Sequence, residues 1–185
     1  MLKYVVFTFI VFTLVWSSHG QSVYENVKIF EPSRPLSYAP CEPSIAISKS
    51  DPSKMVAGAV LKYVSISSDS GKTWKTDRLK SRLGVYGDPC IVSDLDGRFH
   101  YFHLSDPSGL GWGNPWILDR IVCQTSKNNG KRWSRGSSIG LNRPKQQDKE
   151  WVTYDPVSDQ LIATWTQFDK YNDPSPTCHS NILMS

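Results

Sequence analysis

The chain has 185 residues, of which 12% are aromatic, and it contains 12 glycines and 12 prolines. Its apolar residues form no heptad repeat, which excludes a coiled coil and favours an all-β fold. The net charge of +4 comes from lysines and arginines that are scattered along the chain. This pattern excludes a concentrated basic face, so we expect no nucleic-acid partner.

The first twenty residues match a secretory signal peptide. Lys3 supplies a positive charge, Tyr4–Trp16 is an apolar run short for a bilayer span, and Ser18-His19-Gly20 offers small residues for cleavage. An uncleaved anchor is the alternative interpretation. We assign residues 1–20 to the signal peptide and residues 21–39 to a lead-in segment. The protein is therefore expected to be secreted, periplasmic or extracellular, with no membrane contact beyond the signal peptide.

Short strand patterns separated by tight turns recur three times between residues 40 and 185. The predicted strands are Glu42–Ile47, Met55–Val60, Tyr63–Ser67 and Thr76–Lys80; Asp88–Ser93, Arg98–Leu104, Arg120–Thr125 and Ser134–Ile139; and Glu150–Tyr154, Gln160–Phe168 and Cys178–Ser185. Units of four short antiparallel strands are typical of the blades of a β-propeller. We predict a partial propeller over residues 40–185, with about two and a half of a probable six blades.

One octapeptide in the first unit is the strongest motif in the chain. Residues 67–74 read Ser-Ser-Asp-Ser-Gly-Lys-Thr-Trp and match the pattern S-x-D-x-G-x-T-W in all five fixed positions. These positions are Ser67, Asp69, Gly71, Thr73 and Trp74. Asp and Ser can hydrogen-bond the backbone of a turn, Gly permits a positive φ, and Trp can anchor the turn in a core. We interpret the motif as a structural turn between two strands.

The motif recurs in the second unit at residues 126–133, with asparagine in place of aspartate. The shared positions are Ser126, Asn128, Gly130 and Trp133. Gly71 and Gly130 lie 59 residues apart, and the same step from Ser126 leads to Ser185. An unclosed propeller would expose a sheet edge. We therefore expect this chain to be the N-terminal part of a longer protein, whose remaining blades pack against it.

Alignment of the three units places a carboxylate at the start of each first strand: Glu42, Asp88 and Glu150. In an antiparallel meander these starts share one rim, and the two octapeptide turns lie on the opposite rim. We therefore expect the three carboxylates to converge near one axis. Close carboxylates raise one another's pKa and suit acid–base catalysis in glycoside cleavage. Asp148 is a further candidate, for substrate binding.

Two other interpretations of these acids stay open. Each carboxylate could cap the backbone where its own strand begins, or the group could bind a cation such as calcium. No other cofactor is indicated, and no Cys or His spacing suggests a metal site such as zinc. On the same rim, a glycine-rich loop carries Trp112 and Trp116. Their flat faces suit stacking on sugar rings, or they could fold back over the sheet edge.

The chain contains four cysteines: Cys41, Cys90, Cys123 and Cys178. An exported chain permits disulfides. Cys41 and Cys90 lie at the start of comparable strands in adjacent units, which makes them the favoured pair. Buried free thiols are the alternative.

Across residues 40–185 the chain resembles the sialidase superfamily, in its Asp-box or BNR-repeat branch, because both octapeptides follow the Asp-box pattern. The resemblance implies a six-bladed propeller that releases terminal sialic acid, with an Asp acid/base, a Tyr–Glu nucleophile pair and three arginines on the substrate carboxylate. Ser33-Arg34-Pro35-Leu36 loosely resembles the family's first arginine motif, which implies that Arg34 binds substrate. Gly87-Asp88-Pro89 makes Asp88 the implied acid, and the other catalytic residues would lie beyond residue 185.

These observations together predict an exported sialidase-like glycoside hydrolase that acts on glycans. The alternative is a non-catalytic propeller that binds carbohydrate or protein as a module of a larger extracellular protein, because the propeller fold serves both roles.

Overall fold

The structure is a computed structural model of the chain, and it describes residues 25–32 and 40–185. The predictions for the signal peptide at residues 1–20 and for Arg34 lie outside the described residues. Within those residues the chain forms eleven β-strands and one short 3₁₀ helix, Gly111–Gly113. No helix in this part of the chain is long and apolar enough to cross a membrane.

The strands form three antiparallel sheets, each ordered along the chain. Sheet one contains β1 (Ser44–Ile47), β2 (Met55–Ala59), β3 (Tyr63–Ser67) and β4 (Lys75–Arg78); sheet two contains β5 (Cys90–Ser93), β6 (Phe99–Leu104), β7 (Ile121–Ser126) and β8 (Ser137–Ile139); sheet three contains β9 (Gln146–Asp155), β10 (Gln160–Phe168) and β11 (Ser180–Met184). The all-β fold class is confirmed. Within the described residues the sheets do not close into a ring.

The first strands of the three sheets lie side by side. Strand β1 contacts β5, and β5 contacts β9. Each first strand is therefore the inner strand of its sheet, and the later strands extend away from this row. The arrangement brings the starts of three first strands close together although they are far apart in sequence.

Two hydrophobic cores fill the spaces between the sheets, and sheet two contributes to both. Successive side chains of a strand point to opposite faces. Phe99 and Tyr101 therefore enter the core shared with sheet one, while Phe102 and Leu104 enter the core shared with sheet three. Because both of its faces are covered, β6 is buried along its whole length.

The outer faces of sheets one and three carry exposed apolar side chains. Ile45 and Ile47 alternate with the buried Ala46 on β1 and are 54% and 51% exposed. On sheet three, Trp151 and Ile182 are 72% and 75% exposed. Sheet two has no such face, because it lies between the other two.

The turn at residues 67–74 is closed by its own side chains. Ser67 Oγ accepts a hydrogen bond from Gly71 N at 2.9 Å and donates one to Asp69 Oδ1 at 2.8 Å. Asp69 also accepts bonds from the backbone N–H and the hydroxyl of Thr73, at 2.9 and 2.6 Å. Trp74 Nε1 donates to Gly71 O at 2.8 Å. These bonds satisfy the turn internally and leave Asp69 with a pKa of about 2, which the Thr73 hydroxyl lowers most.

The turn at residues 126–133 repeats this geometry. Gly130 N donates to Ser126 Oγ at 2.9 Å, and Asn128 Oδ1 accepts from Ser126 Oγ and Arg132 N at 3.0 and 2.8 Å. Gly130 has a φ of +77°, and a Cβ on it would lie 2.5 Å from Ile66 Cγ2 of sheet one. Glycine is therefore required both by the turn conformation and by packing between sheets.

Strand register places both turns at the end of the sheets opposite the start of the first strand. Met55 pairs with both Ile47, the last residue of β1, and Ser67, the last residue of β3. In sheet two, Phe99 likewise pairs with Ser93 and Ser126. We call this edge the turn rim. The opposite edge, where the first strands begin near Glu42 and Asp88, is the entry rim.

The favoured Cys41–Cys90 disulfide is wrong, because all four cysteines are free. Cys90 faces sheet three, where Val152 N donates to its Sγ at 3.2 Å. Cys41 is exposed and lies just before β1 of sheet one. Alternation along β5 thus turns the Cys90 thiol away from Cys41, and burial raises its pKa.

Candidate functional site

Three residues hold the same backbone position at the entry rim: Glu42, Asp88 and Lys149. Their φ angles are +49°, +47° and +52°, in the left-handed region that non-glycine residues seldom adopt. Each precedes by two residues the point where its strand begins continuous pairing with the second strand, at Ser44, Cys90 and Trp151. The shared conformation turns all three side chains towards one location.

Lys149 joins the other two residues through its ammonium group. Its Nζ lies 2.9 Å from Asp88 Oδ2 and 3.4 Å from Glu42 Oε1. The Asp88 side chain is 15% exposed, whereas those of Glu42 and Lys149 are 48% and 63% exposed. One cation from sheet three therefore bridges carboxylates from sheets one and two. The hydrogen bond to Asp88 is the largest factor that raises the pKa of Lys149.

Glu42 and Asp88 also interact directly. A hydrogen bond to the Asp88 carboxylate raises the pKa of Glu42, and burial and the negative charge of Asp88 act in the same direction. Asp88 is also paired with the Lys149 ammonium at 2.9 Å. A glutamate with a raised pKa beside a second carboxyl group is an arrangement that suits acid–base chemistry.

Asp148 lies beside this pair and is more deeply buried. The residue is only 7% exposed, yet it lines the same pocket. Burial raises its pKa to about 6, and the charge of Asp88 contributes to the shift. The backbone N–H of Lys149 is hydrogen-bonded to it, but no described side chain pairs with it.

The pocket at the entry rim has a volume of about 220 Å³ and combines these acids with aromatic walls. Trp112 and Tyr171 line it with ring centroids 5.2 Å apart and planes inclined by 32°. Tyr86 lies edge-on to Trp112 at 6.0 Å. The glycine-rich loop that carries Trp112 is held by Asp106, which accepts bonds from Gly109 N and Gly111 N at 3.1 and 3.0 Å.

Glu150 does not line the pocket, contrary to the expectation that it would converge with Glu42 and Asp88. It follows Lys149 by one residue, and a one-residue step along a strand moves the side chain to the opposite face. Its carboxyl group is fully buried, and neither oxygen has a hydrogen-bond partner. Burial raises its pKa well above the usual value for glutamate.

Trp116 is also placed apart from the pocket. The Arg143 guanidinium lies 4.5 Å from the centre of its ring. Arg143 Nη2 in turn donates to Asp119 Oδ2 at 2.6 Å, and Asp119 is also paired with Arg120. Of the two tryptophans predicted to bind substrate, the structure brings only Trp112 to the acids.

No group of three His, Cys, Asp or Glu side chains in the described residues could hold a metal ion. At the entry rim the Lys149 ammonium lies between Glu42 and Asp88, where a bound cation would have to be. The residues present therefore do not fit the calcium alternative, and no step of the chemistry is assigned to a metal.

Lys149 and Tyr171 were missed by the sequence analysis. A usable signal existed for Lys149, because Glu42, Asp88 and Lys149 each lie six residues before a turn residue. These turn residues are Ser48, Asp94 and Asp155, whose side chains each accept a backbone N–H of the turn. Tyr171 lies in the loop after β10, where no sequence period indicates which way the side chain points.

Two solved structures share this fold. One is titled "Hadza microbial sialidase Hz136"; it has a TM-score of 0.51 and 17% identity, and the match covers 80% of this chain and 35% of that one. The other is a protein of unknown function from Dyadobacter fermentans DSM 18053, with a TM-score of 0.51, 15% identity, and coverage of 82% and 52%. This chain thus spans between a third and about half of the length of these neighbours. No protein-family model and no curated protein sequence matches the chain. At such identities the likeness concerns the fold alone, and the chain has a sialidase-like all-β fold.

Proposed function

We propose that this chain forms the first blades of an exported, sialidase-like β-propeller that hydrolyses glycans from their ends. One observation carries the proposal: Glu42 and Asp88, which Lys149 Nζ joins at 3.4 and 2.9 Å, open into a pocket walled by Trp112 and Tyr171. A carboxyl group whose pKa is raised can transfer a proton to a glycosidic oxygen. Aromatic faces beside them can hold a sugar ring in place.

A second pocket supports a glycan rather than a single small ligand. It has a volume of about 480 Å³, and it shares Tyr86, Leu61 and Trp112 with the pocket of the acids. The two pockets therefore adjoin across the Trp112 ring. A sugar bound beside the acids could extend its next unit over the glycine-rich loop.

The roles that we assign follow the charge pattern at the entry rim. Glu42, whose pKa is raised, protonates the glycosidic oxygen as its bond to the sugar breaks. Asp88, held by Lys149, takes a proton from the water that attacks the sugar and returns it to the adjacent Glu42. Asp148 binds the substrate. Glu150 is given no catalytic role, because its carboxyl group is enclosed away from the pocket.

Two features support a larger propeller around this chain. The outer faces of sheets one and three expose Ile45, Ile47, Trp151 and Ile182, as expected of blade faces that further blades cover. The repeated turns at residues 67–74 and 126–133 share the bond from the glycine N–H to the serine hydroxyl and the bond from that hydroxyl to the side chain at position 69 or 128, as the blades of a repeat architecture would. The missing nucleophile would be supplied by those further blades.

The proposal is tested by hydrolysis of a panel of fluorogenic glycosides, including a sialoside, with the full-length protein. Loss of an acid–base group removes about 100-fold or more of the rate. We therefore expect D88N and E42Q each to lose at least about 100-fold in kcat/KM, whereas E150Q, a matched amide variant outside the pocket, keeps its activity. Equal losses in all three variants, or activity lost only in E150Q, would refute these roles.

A non-catalytic glycan-binding module is the second candidate, and one observation favours it. Lys149 already pairs with both Glu42 and Asp88, so the three residues could simply tie the sheets together. In that case the protein would bind glycans in the pocket but hydrolyse none of the panel. Binding without turnover, abolished by Trp112→Ala, would establish this candidate in place of the hydrolase.

A further inference from the structure

We infer that the entry-rim pocket recognises a sugar that carries a positively charged amino group, and that Asp148 is the carboxylate that receives this group. The inference rests on the proposed function in one respect, that the pocket binds a glycan. It goes further by naming the class of sugar.

The first step is the charge balance of the pocket. Glu42, Asp88 and Asp148 line it together with one cation, Lys149. The Lys149 ammonium is committed to Asp88 and Glu42 at 2.9 and 3.4 Å. Asp148 is therefore left without a cationic partner among the described residues.

The second step is the position of Asp148. It is 93% buried by protein and still borders the pocket, so its carboxyl group is aimed at the space that a ligand would fill. Burial and the charge of Asp88 raise its pKa to about 6, because together they outweigh the opposing effects of the Lys149 charge and backbone N–H. A ligand cation would supply the missing charge, and a charge-assisted hydrogen bond is among the stronger polar interactions.

The third step is the choice of cation. No set of described side chains is arranged to hold a metal ion. The exposed faces of Trp112 and Tyr171 instead suit a ring-shaped ligand, and aromatic faces also attract ammonium groups. An anionic sugar is disfavoured, because its carboxylate would meet three acids and no arginine of the described chain lines the pocket.

The test compares the binding of three ligands to the full-length protein by titration calorimetry at pH 7.5: methyl glucosaminide, methyl N-acetylglucosaminide and methyl sialoside. We expect the amino sugar to bind on the order of 10-fold more tightly than the neutral sugar, as one charged hydrogen bond predicts, and the sialoside to bind least tightly. In D148N the ratio of the affinity for the amino sugar to that for the neutral sugar falls to about one, while the neutral sugar binds as tightly as before.

The exposed Asp96, 72% exposed at its side chain, provides a matched control: D96N should keep the full preference for the amino sugar. If the sugars bind without preference, or the sialoside binds best, the inference is overturned while the glycan-binding proposal stands. If the preference persists in D148N, Asp148 is not the receiving group. If none of the sugars binds, the glycan proposal and the inference fall together. The ligand comparison on the unmodified protein decides the sugar class even if D148N does not fold.

Discussion

Two aspartates at opposite rims show how position changes the same side chain. Asp69, on the turn rim, has a pKa of about 2, because Thr73 and Ser67 direct hydrogen bonds at its carboxylate. Asp148, on the entry rim, has a pKa of about 6, because burial and the charge of Asp88 oppose ionisation. The turn at residues 67–74 satisfies its own carboxylate, whereas Asp148 at the entry rim has no described side-chain partner.

The difference separates stability from function. In the turn at residues 67–74, hydrogen bonds from Ser67 and Thr73 stabilise the ionised Asp69 carboxylate and the local fold. The carboxylate is therefore already engaged within the turn and is not offered to a ligand. At the entry rim, three acids are gathered against one lysine at a cost in electrostatic free energy. Clusters of this kind persist where binding or catalysis needs them, which is why we place the site there and not at the more conspicuous motif.

The largest expected effect tests whether the turn rim is structural. Trp133 packs against the core between sheets one and two, edge-on to Tyr101 with ring centroids 5.7 Å apart. Removing a large aromatic from a core costs about 3 to 5 kcal/mol, and we expect Trp133→Ala to fall at about 3 kcal/mol because the ring is partly exposed. Urea unfolding measures the change in the free energy of unfolding.

Val157→Ala is the control, since Val157 is 94% exposed in the turn after β9 and its loss should change stability by less than about 0.5 kcal/mol. Similar values for the two variants would mean that Trp133 does not anchor the turn rim in the core.

Glu150 gives a pH-dependent effect of intermediate size. Its pKa in the folded protein is raised well above the usual value of 4.5. Below pH 4.5 both folded and unfolded chains hold the proton; above it the unfolded chain ionises first, so stability falls as pH rises, by up to about 1.4 kcal/mol per pH unit. Glu150→Gln removes this loss. It should therefore match the wild-type protein at pH 4 and exceed it in unfolding free energy by pH 6.

Urea unfolding across pH 4 to 7 measures this difference, and D96N on the exposed Asp96 serves as the control. A stability difference that does not change with pH would show that the Glu150 carboxyl group is not held neutral in the folded protein.

Much of the fold could be predicted from sequence, because strands with one buried face alternate and tight turns carry Gly, Asp and Asn. The range Tyr63–Ser67, for example, is the same in prediction and structure. Antiparallel connectivity also predicted that the two octapeptide turns lie on the rim opposite the starts of the first strands. The disulfide could not be predicted, since which face Cys90 occupies depends on the packing of sheet three against β5.

The site was harder to predict than the fold, and Glu150 shows why. The first strand of unit three was predicted to start at Glu150, but β9 begins at Gln146 and its pairing with β10 is interrupted between Thr164 and Thr166. This irregularity and the positive φ of Lys149 put lysine, not glutamate, into the pocket. A shift of one residue exchanges the two faces of a strand. An error of one residue in the predicted register therefore leaves the predicted fold unchanged but assigns the wrong residue to the pocket.

The smallest expected effect comes from making the second turn like the first. Asn128 Oδ1 accepts bonds from Ser126 Oγ and Arg132 N, and in Asn128→Asp the same atoms would meet a charged acceptor. Replacing a neutral acceptor by a charged one strengthens such bonds modestly, so we expect a gain of about 0.5 kcal/mol at pH 7. The gain should be present above pH 4 and be lost as pH falls towards 2, the direction that the lowered pKa of Asp69 indicates.

Arg132→Thr separates the two contributions to this gain. In the first turn, Thr73 Oγ1 gives Asp69 a second strong bond at 2.6 Å, and arginine at position 132 cannot supply it. The single variant R132T should therefore be nearly neutral, while the double variant N128D/R132T should exceed the sum of the two singles in a double-mutant cycle. If the stability changes of the two single variants simply add, the carboxylate and the hydroxyl do not act as a pair. The paired hydrogen bonds of Asp69 would then be a feature of the first turn alone.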